Sequence, residues 1–92
     1  MNWLEIIELR STHSNKSFVK LQLNEMVKEV NKKSRTKIIM MYNRLAVDGD
    51  FQIHLLHKSK EADINGSPLG AQLVSTLKEY GLINHSVWIQ RS

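Results

Sequence analysis

The hydrophobic residues of this chain switch back and forth between the period of a strand and the period of a helix, and that order of periods limits the folds open to it. "WLEIIELR", Trp3 to Arg10, is rich in apolar and β-branched residues and reads as a strand. Its alternation is imperfect, because Glu5 and Glu8 fall on opposite faces. From Ser14 to Lys33 the spacing becomes helical: Val19, Leu23, Val27 and Val30 recur on one side, with Lys20, Asn24, Lys28 and Asn31 on the other. Thr36 to Lys58 then reads as two strands joined at Asp48-Gly49, a dipeptide suited to the positive φ angles of a tight hairpin turn.

If those two residues are the turn, Val47 pairs with Asp50, Asn43 faces His54 and Met41 faces Leu56. The second helix is the best punctuated element. Ser67 is a good N-cap and Pro68 fits the first helical position, where its missing N–H costs nothing. Leu69, Leu73, Leu77 and Tyr80 form its stripe, and Gly81 stands where a left-handed residue would end it. Ile83 to Arg91 is a last strand, alternating Ile83, His85, Val87 and Ile89 against Asn84, Ser86, Trp88 and Gln90.

Strand, helix, strand, strand, helix, strand predicts an α+β fold: the ferredoxin-like βαββαβ plan, with a four-stranded antiparallel sheet and both helices on one face. With 92 residues we expect a single domain over 1–92, of a size at which burial alone leaves little margin and association is a common supplement. There is no cysteine, so disulfides and thiolate metal sites are excluded. No basic segment followed by an apolar one opens the sequence and no apolar run is long enough for a membrane span, so the expectation is a cytosolic protein with no membrane partner.

Helices on one side leave the other side of the sheet bare. Under the two-residue turn that side carries Ile39, Met41, Leu45 and Leu56, with Trp88, and we expect two copies to cover it by packing sheet on sheet as a homodimer. In this the chain resembles the dimeric α+β barrel superfamily, in which two ferredoxin-like subunits join their open faces. The resemblance runs over "WLEIIELR", the long first helix, the "VDGD" hairpin, "SPLGAQLVSTLKEYG" and "SVWIQ". It is one of element order and length. It implies a cavity between sheet and helices, and because members of that superfamily differ widely in chemistry it carries over no catalytic residue and no cofactor.

Two kinds of function follow. A small organic ligand in a sheet–helix pocket would use the polar-aromatic residues Tyr42, His54, His57, His85 and Trp88. The alternative is an interaction module. Residues 1–46 carry nine Lys/Arg against four Glu, and the excess gathers at Lys28, Lys32, Lys33, Arg35 and Lys37, a patch for an acidic protein or nucleic acid. Nucleic acid is the disfavoured partner, because the third strand offers only Phe51 for stacking.

Gly66-Ser67-Pro68-Leu69-Gly70 opens a helix and could receive an anion, yet its first turn has no Lys or Arg and matches neither phosphate-loop fingerprint, so capping is the favoured reading. His54 and His57, three apart on a strand, point to opposite faces, and we expect no metal site. No paired carboxylates or nucleophile–base grouping can be placed, so enzyme and binding-protein readings stand side by side.

Overall fold

The computed structural model describes residues 2–12, 16–32, 38–47, 49–58 and 61–91. The elements follow in the expected order: β1 (Asn2–Ser11), α1 (Lys16–Lys32), β2 (Ile39–Asn43), β3 (Asp50–Lys58), α2 (Pro68–Leu77) with a short 3-10 turn (Lys78–Tyr80), and β4 (Gly81–Ile89). All strand pairs are antiparallel and the sheet order is β2-β3-β1-β4, an arrangement compatible with ferredoxin-like architecture.

Alternation along β1 decides which face is interior. Trp3, Glu5, Ile7 and Leu9 are buried while the residues between them are not. Phe51, Ile53 and Leu55 of β3 continue that face, and Val19 and Leu23 of α1 with Leu73 and Leu77 of α2 pack onto it in one cluster. Each such side chain contributes about 1.5–3 kcal/mol on burial, so this cluster is the main stabilising body of the chain. Asn31, near the end of α1, ties the helix to β2: its Nδ2 donates to the Ile39 carbonyl at 3.0 Å, and its Oδ1 accepts from the Ile38 and Ile39 amides at 3.1 and 3.3 Å.

The hairpin register differs from the expectation. Asn43 pairs with Phe51, Met41 with Ile53 and Ile39 with Leu55, three residues away from the pairing a two-residue turn requires. The connection runs from 44 to 49, with the Arg44 amide donating to the Asp50 carbonyl at 3.0 Å and Ala46 in the left-handed region at φ 63°. An odd shift turns every β2 side chain to the other face. It does so here because Ile39 and Met41, like Phe51, Ile53 and Leu55, gain most from facing the helices. Ile39 and Met41 therefore belong to the interior and not to the bare face: Ile39 is buried and Met41 packs against the core. Leu45 lies in the connection, 93% exposed, and Leu56 remains on the open face opposite Leu4. In place of the first two, Met40 and Tyr42 face outward, exposed.

Gly81 also has a different reason from the one expected. Its φ of 163° is extended, and it begins β4. A Cβ there would lie 2.0 Å from the Arg10 carbonyl oxygen, so close approach to β1 is what demands glycine.

Candidate functional site

Glu5 is the one buried charged side chain among the described residues, and it explains the glycine-rich start of α2. Ser67 caps the helix, its Oγ accepting from the Gly70 amide at 3.0 Å. The same hydroxyl donates to Glu5 Oε2 at 2.5 Å, and the Ser67 amide donates to Oε1 at 3.0 Å. His57 of β3 and His85 of β4 flank β1 and present Nε2 to Oε2 and Oε1, at 2.5 and 2.9 Å. Each lies diagonally across from Glu5, since Glu5 pairs directly with Leu55 and Val87. Diagonal neighbours on one face lie within reach of long side chains.

An ionised carboxylate is acceptor-only, so both rings carry their proton on Nε2 and the neutral form of each leaves Nδ1 as its acceptor. The His57 ring is further held by stacking on Trp3, with centroids 4.0 Å apart. Burial raises the Glu5 pKa, but the hydrogen bonds from the Ser67 hydroxyl, His57, the Ser67 amide and His85 outweigh it, and the net shift is downward. The start of α2 adds its dipole to the same effect. The anion at the mouth of this helix is thus the chain's own Glu5.

The two glycines make room for it. A Cβ on Gly70 would fall 2.0 Å from Glu5 Oε1, and one on Gly66, at φ 83°, would fall 2.2 Å from the same oxygen.

Chemically the cluster is a tie. The Ser67 hydroxyl donates to Glu5 and accepts from Gly70, so it is not poised as a nucleophile. Among the described residues no group of three His, Cys, Asp or Glu has the geometry to hold a metal ion. One carboxylate joins β1, β3, β4 and α2, with four donors on its two oxygens and no buried side-chain polar atom left unpartnered among the described residues.

The five pocket candidates separate. His57 and His85 lie on the helix side, whereas Tyr42, His54 and Trp88 lie on the open face. There the Tyr42 ring tilts against His54, centroids 4.6 Å apart, and His54 Nε2 lies 2.7 Å from Gln52 Oε1. Burial without a carboxylate partner lowers the His54 pKa. Trp88, at the far edge, donates to Ser86 Oγ at 2.8 Å and faces Leu4. The sheet–helix space is packed by Ile7, Leu9, Leu23, Leu55, Leu73 and their neighbours.

A cleft of about 510 Å³ opens instead at the end of the sheet where β1 finishes. Tyr42, Gln52, Glu8 and Asn84 form a row across all four strands within it, followed by Asp50, Arg10 and Leu82. Asp50 lies 3.6 Å from both Arg10 and Arg44, whose guanidinium groups are largely exposed. Of the basic set, Lys28 and Lys32 stand exposed on α1, while Lys33, Arg35 and Lys37 lie outside the described residues, as does Asp48.

Glu5 and Ser67 escaped the sequence reading as a pair. The signal was present: a lone glutamate interrupts the apolar row of the first strand, and a lone histidine interrupts that of the last. No protein-family model matches the chain, and no curated protein or solved structure does.

Proposed function

We propose that the chain works as a homodimer of ferredoxin-like subunits that pack open face to open face, and that it binds a small organic ligand in the cleft at the end of that face. The observation that carries this reading is the asymmetry of the sheet. One face lies under two helices, while the other leaves Met40, Tyr42 and Trp88 40–57% exposed. Three strands about 30 Å long and the shorter β2, each about 4.8 Å wide, offer roughly 500 Å² of projected area. That is roughly two-thirds of the ~800 Å² of accessible surface per partner in a standard interface, and side chains standing on a sheet expose more area than its projection.

The cleft supports the ligand half of the reading. Its volume of about 510 Å³ is that of a small-molecule site, which spans roughly 300–1,000 Å³. Tyr42 supplies a flat apolar wall, and Arg10, Arg44, Glu8 and Asn84 supply polar groups. Such a lining suits a molecule with an apolar body and a charged or hydrogen-bonding end, and a second sheet laid over the face would enclose it.

Native mass spectrometry of the freshly purified protein tests both halves. Subunits in multiples of two carrying a defined small adduct are expected, with the adduct lost in Tyr42→Ala. A single chain at micromolar concentration overturns the association, and an adduct unaffected by Tyr42→Ala overturns the cleft as its site.

A further inference from the structure

The two edges of the sheet are unequal. β2 is five residues long, and the outward N–H and C=O of Ile39 are already taken by Asn31. β4 is nine residues long, and from Gly81 to Ile89 it has no Lys, Arg, Asp, Glu or Pro. Natural edge strands are commonly blunted by such residues, by shortness or by a covering element, because an unguarded edge is a template for another strand.

The phase of its free groups can be read from the ladder. The Thr12 amide donates to the Tyr80 carbonyl and the Gln90 amide to the Asn2 carbonyl, both at 3.0 Å. Hydrogen-bonded pairs alternate along an antiparallel ladder, so the even-numbered residues of β4 bond to β1. Gly81, Ile83, His85, Val87 and Ile89 therefore turn their backbone groups outward, and no described residue is bonded to them.

We propose that this edge pairs with the same edge of a second copy, antiparallel about a two-fold axis at His85, giving a continuous eight-stranded sheet. The sequence of β4 is self-complementary about that point. Ile83 meets Val87 of the second copy, Leu82 meets Trp88, Asn84 meets Ser86, and His85 meets itself. Apolar residues fall opposite apolar ones and polar opposite polar, on both faces. The five outward residues of each strand then pair with the five of the other, using the full length of β4.

Other registers do worse. Moving the axis to Ser86 sets Asn84 against Trp88, and moving it to Asn84 sets Leu82 against Ser86. A one-residue slip opposes outward groups to inward ones and forms no ladder. An isologous contact of this kind closes on itself and does not propagate. It uses the edge and leaves the open face free, so it is compatible with face packing, and where the two-fold axes cross the two contacts together close at four chains.

Amide hydrogen exchange by NMR on the full chain tests the edge directly. The amides of Asn84, Ser86 and Trp88 are protected by β1 in any case. The edge contact extends protection to Ile83, His85 and Val87, slowing them about 100-fold or more over an open edge. Face packing alone supplies these amides with no partner, so fast exchange at 83, 85 and 87 beside slow exchange at 84, 86 and 88 overturns the proposal.

Val87→Pro removes an outward N–H without touching the β1 ladder, and Val87→Ala keeps that N–H. The proline variant is expected to halve the particle mass and release Ile83 and His85, and the alanine variant to do neither. Met40→Glu is expected to lower the mass while leaving the edge amides protected. If Met40→Glu changes nothing while Val87→Pro halves the mass, face packing fails and edge pairing stands.

Discussion

The two faces of the sheet hold the same kinds of residue and use them differently. On the helix side, His57 and His85 are bound to a buried carboxylate that is itself held by a helix N-terminus. On the open side, His54 lies against Tyr42 and Gln52 and is bonded to no carboxylate among the described residues. A histidine in this fold is therefore structural or available according to the strand parity that places it. Three residues separate His54 from His57, and that odd number is enough to put them in different worlds.

Breaking the comparison at its centre has the largest expected effect. Glu5→Ala leaves His57, His85 and the Ser67 hydroxyl without their shared acceptor, and we expect a loss of about 3–5 kcal/mol in urea denaturation, since each part-buried donor left unsatisfied costs about 1–3 kcal/mol. His85→Ala removes a single charge-assisted bond and should cost about 1.5–3 kcal/mol, with loosened packing at the start of α2. Gly70→Ala sets two effects against each other. Alanine improves helix propensity by about 1 kcal/mol. The added Cβ, 2.0 Å from Glu5 Oε1, forces a shift costing about 1–3 kcal/mol, so the variant should be less stable than the parent. A stabilised Gly70→Ala would mean that Glu5 has room to spare. His54→Ala closes the series: bonded to no carboxylate among the described residues, His54 should change subunit stability by less than about 1 kcal/mol when removed.

Acid sharpens the same contrast. The folded-state pKa of Glu5 is lowered, so its contribution is fully present above the ordinary glutamate value and is lost as pH falls through the folded one. Urea midpoints should therefore decline below about pH 4.5, and Glu5→Gln should flatten that decline. An unchanged acid profile in Glu5→Gln would show that another carboxylate sets it.

Much of the architecture was legible because it is local. Period, caps and turn residues placed both helices and all four strands, and the alternation of β4 put His85 inward and Trp88 outward as the structure has them. The hairpin was not legible in the same way. Asp48-Gly49 is a strong local signal for a two-residue turn, and it was overruled by a tertiary demand, the need to bring Ile39 and Met41 under the helices. That reversal exchanged Ile39 and Met41 for Met40 and Tyr42 on the open face. The Glu5 cluster was harder still. Its other members stand 52, 62 and 80 residues from Glu5 in sequence. Each one alone reads as an imperfect strand, a helix cap or a buried imidazole, and only strand order brings them to one carboxylate.

The open face as the surface of association is the claim on which the functional reading depends. Sedimentation equilibrium of the wild-type chain beside a Met40→Glu/Tyr42→Glu variant tests it most directly, since both side chains are exposed on that face and neither belongs to the core. The account predicts a wild-type particle of more than one chain and a variant of lower mass with an unchanged circular dichroism spectrum. A wild type that sediments as a single chain at micromolar concentration, or a variant of the same mass as the wild type, contradicts it.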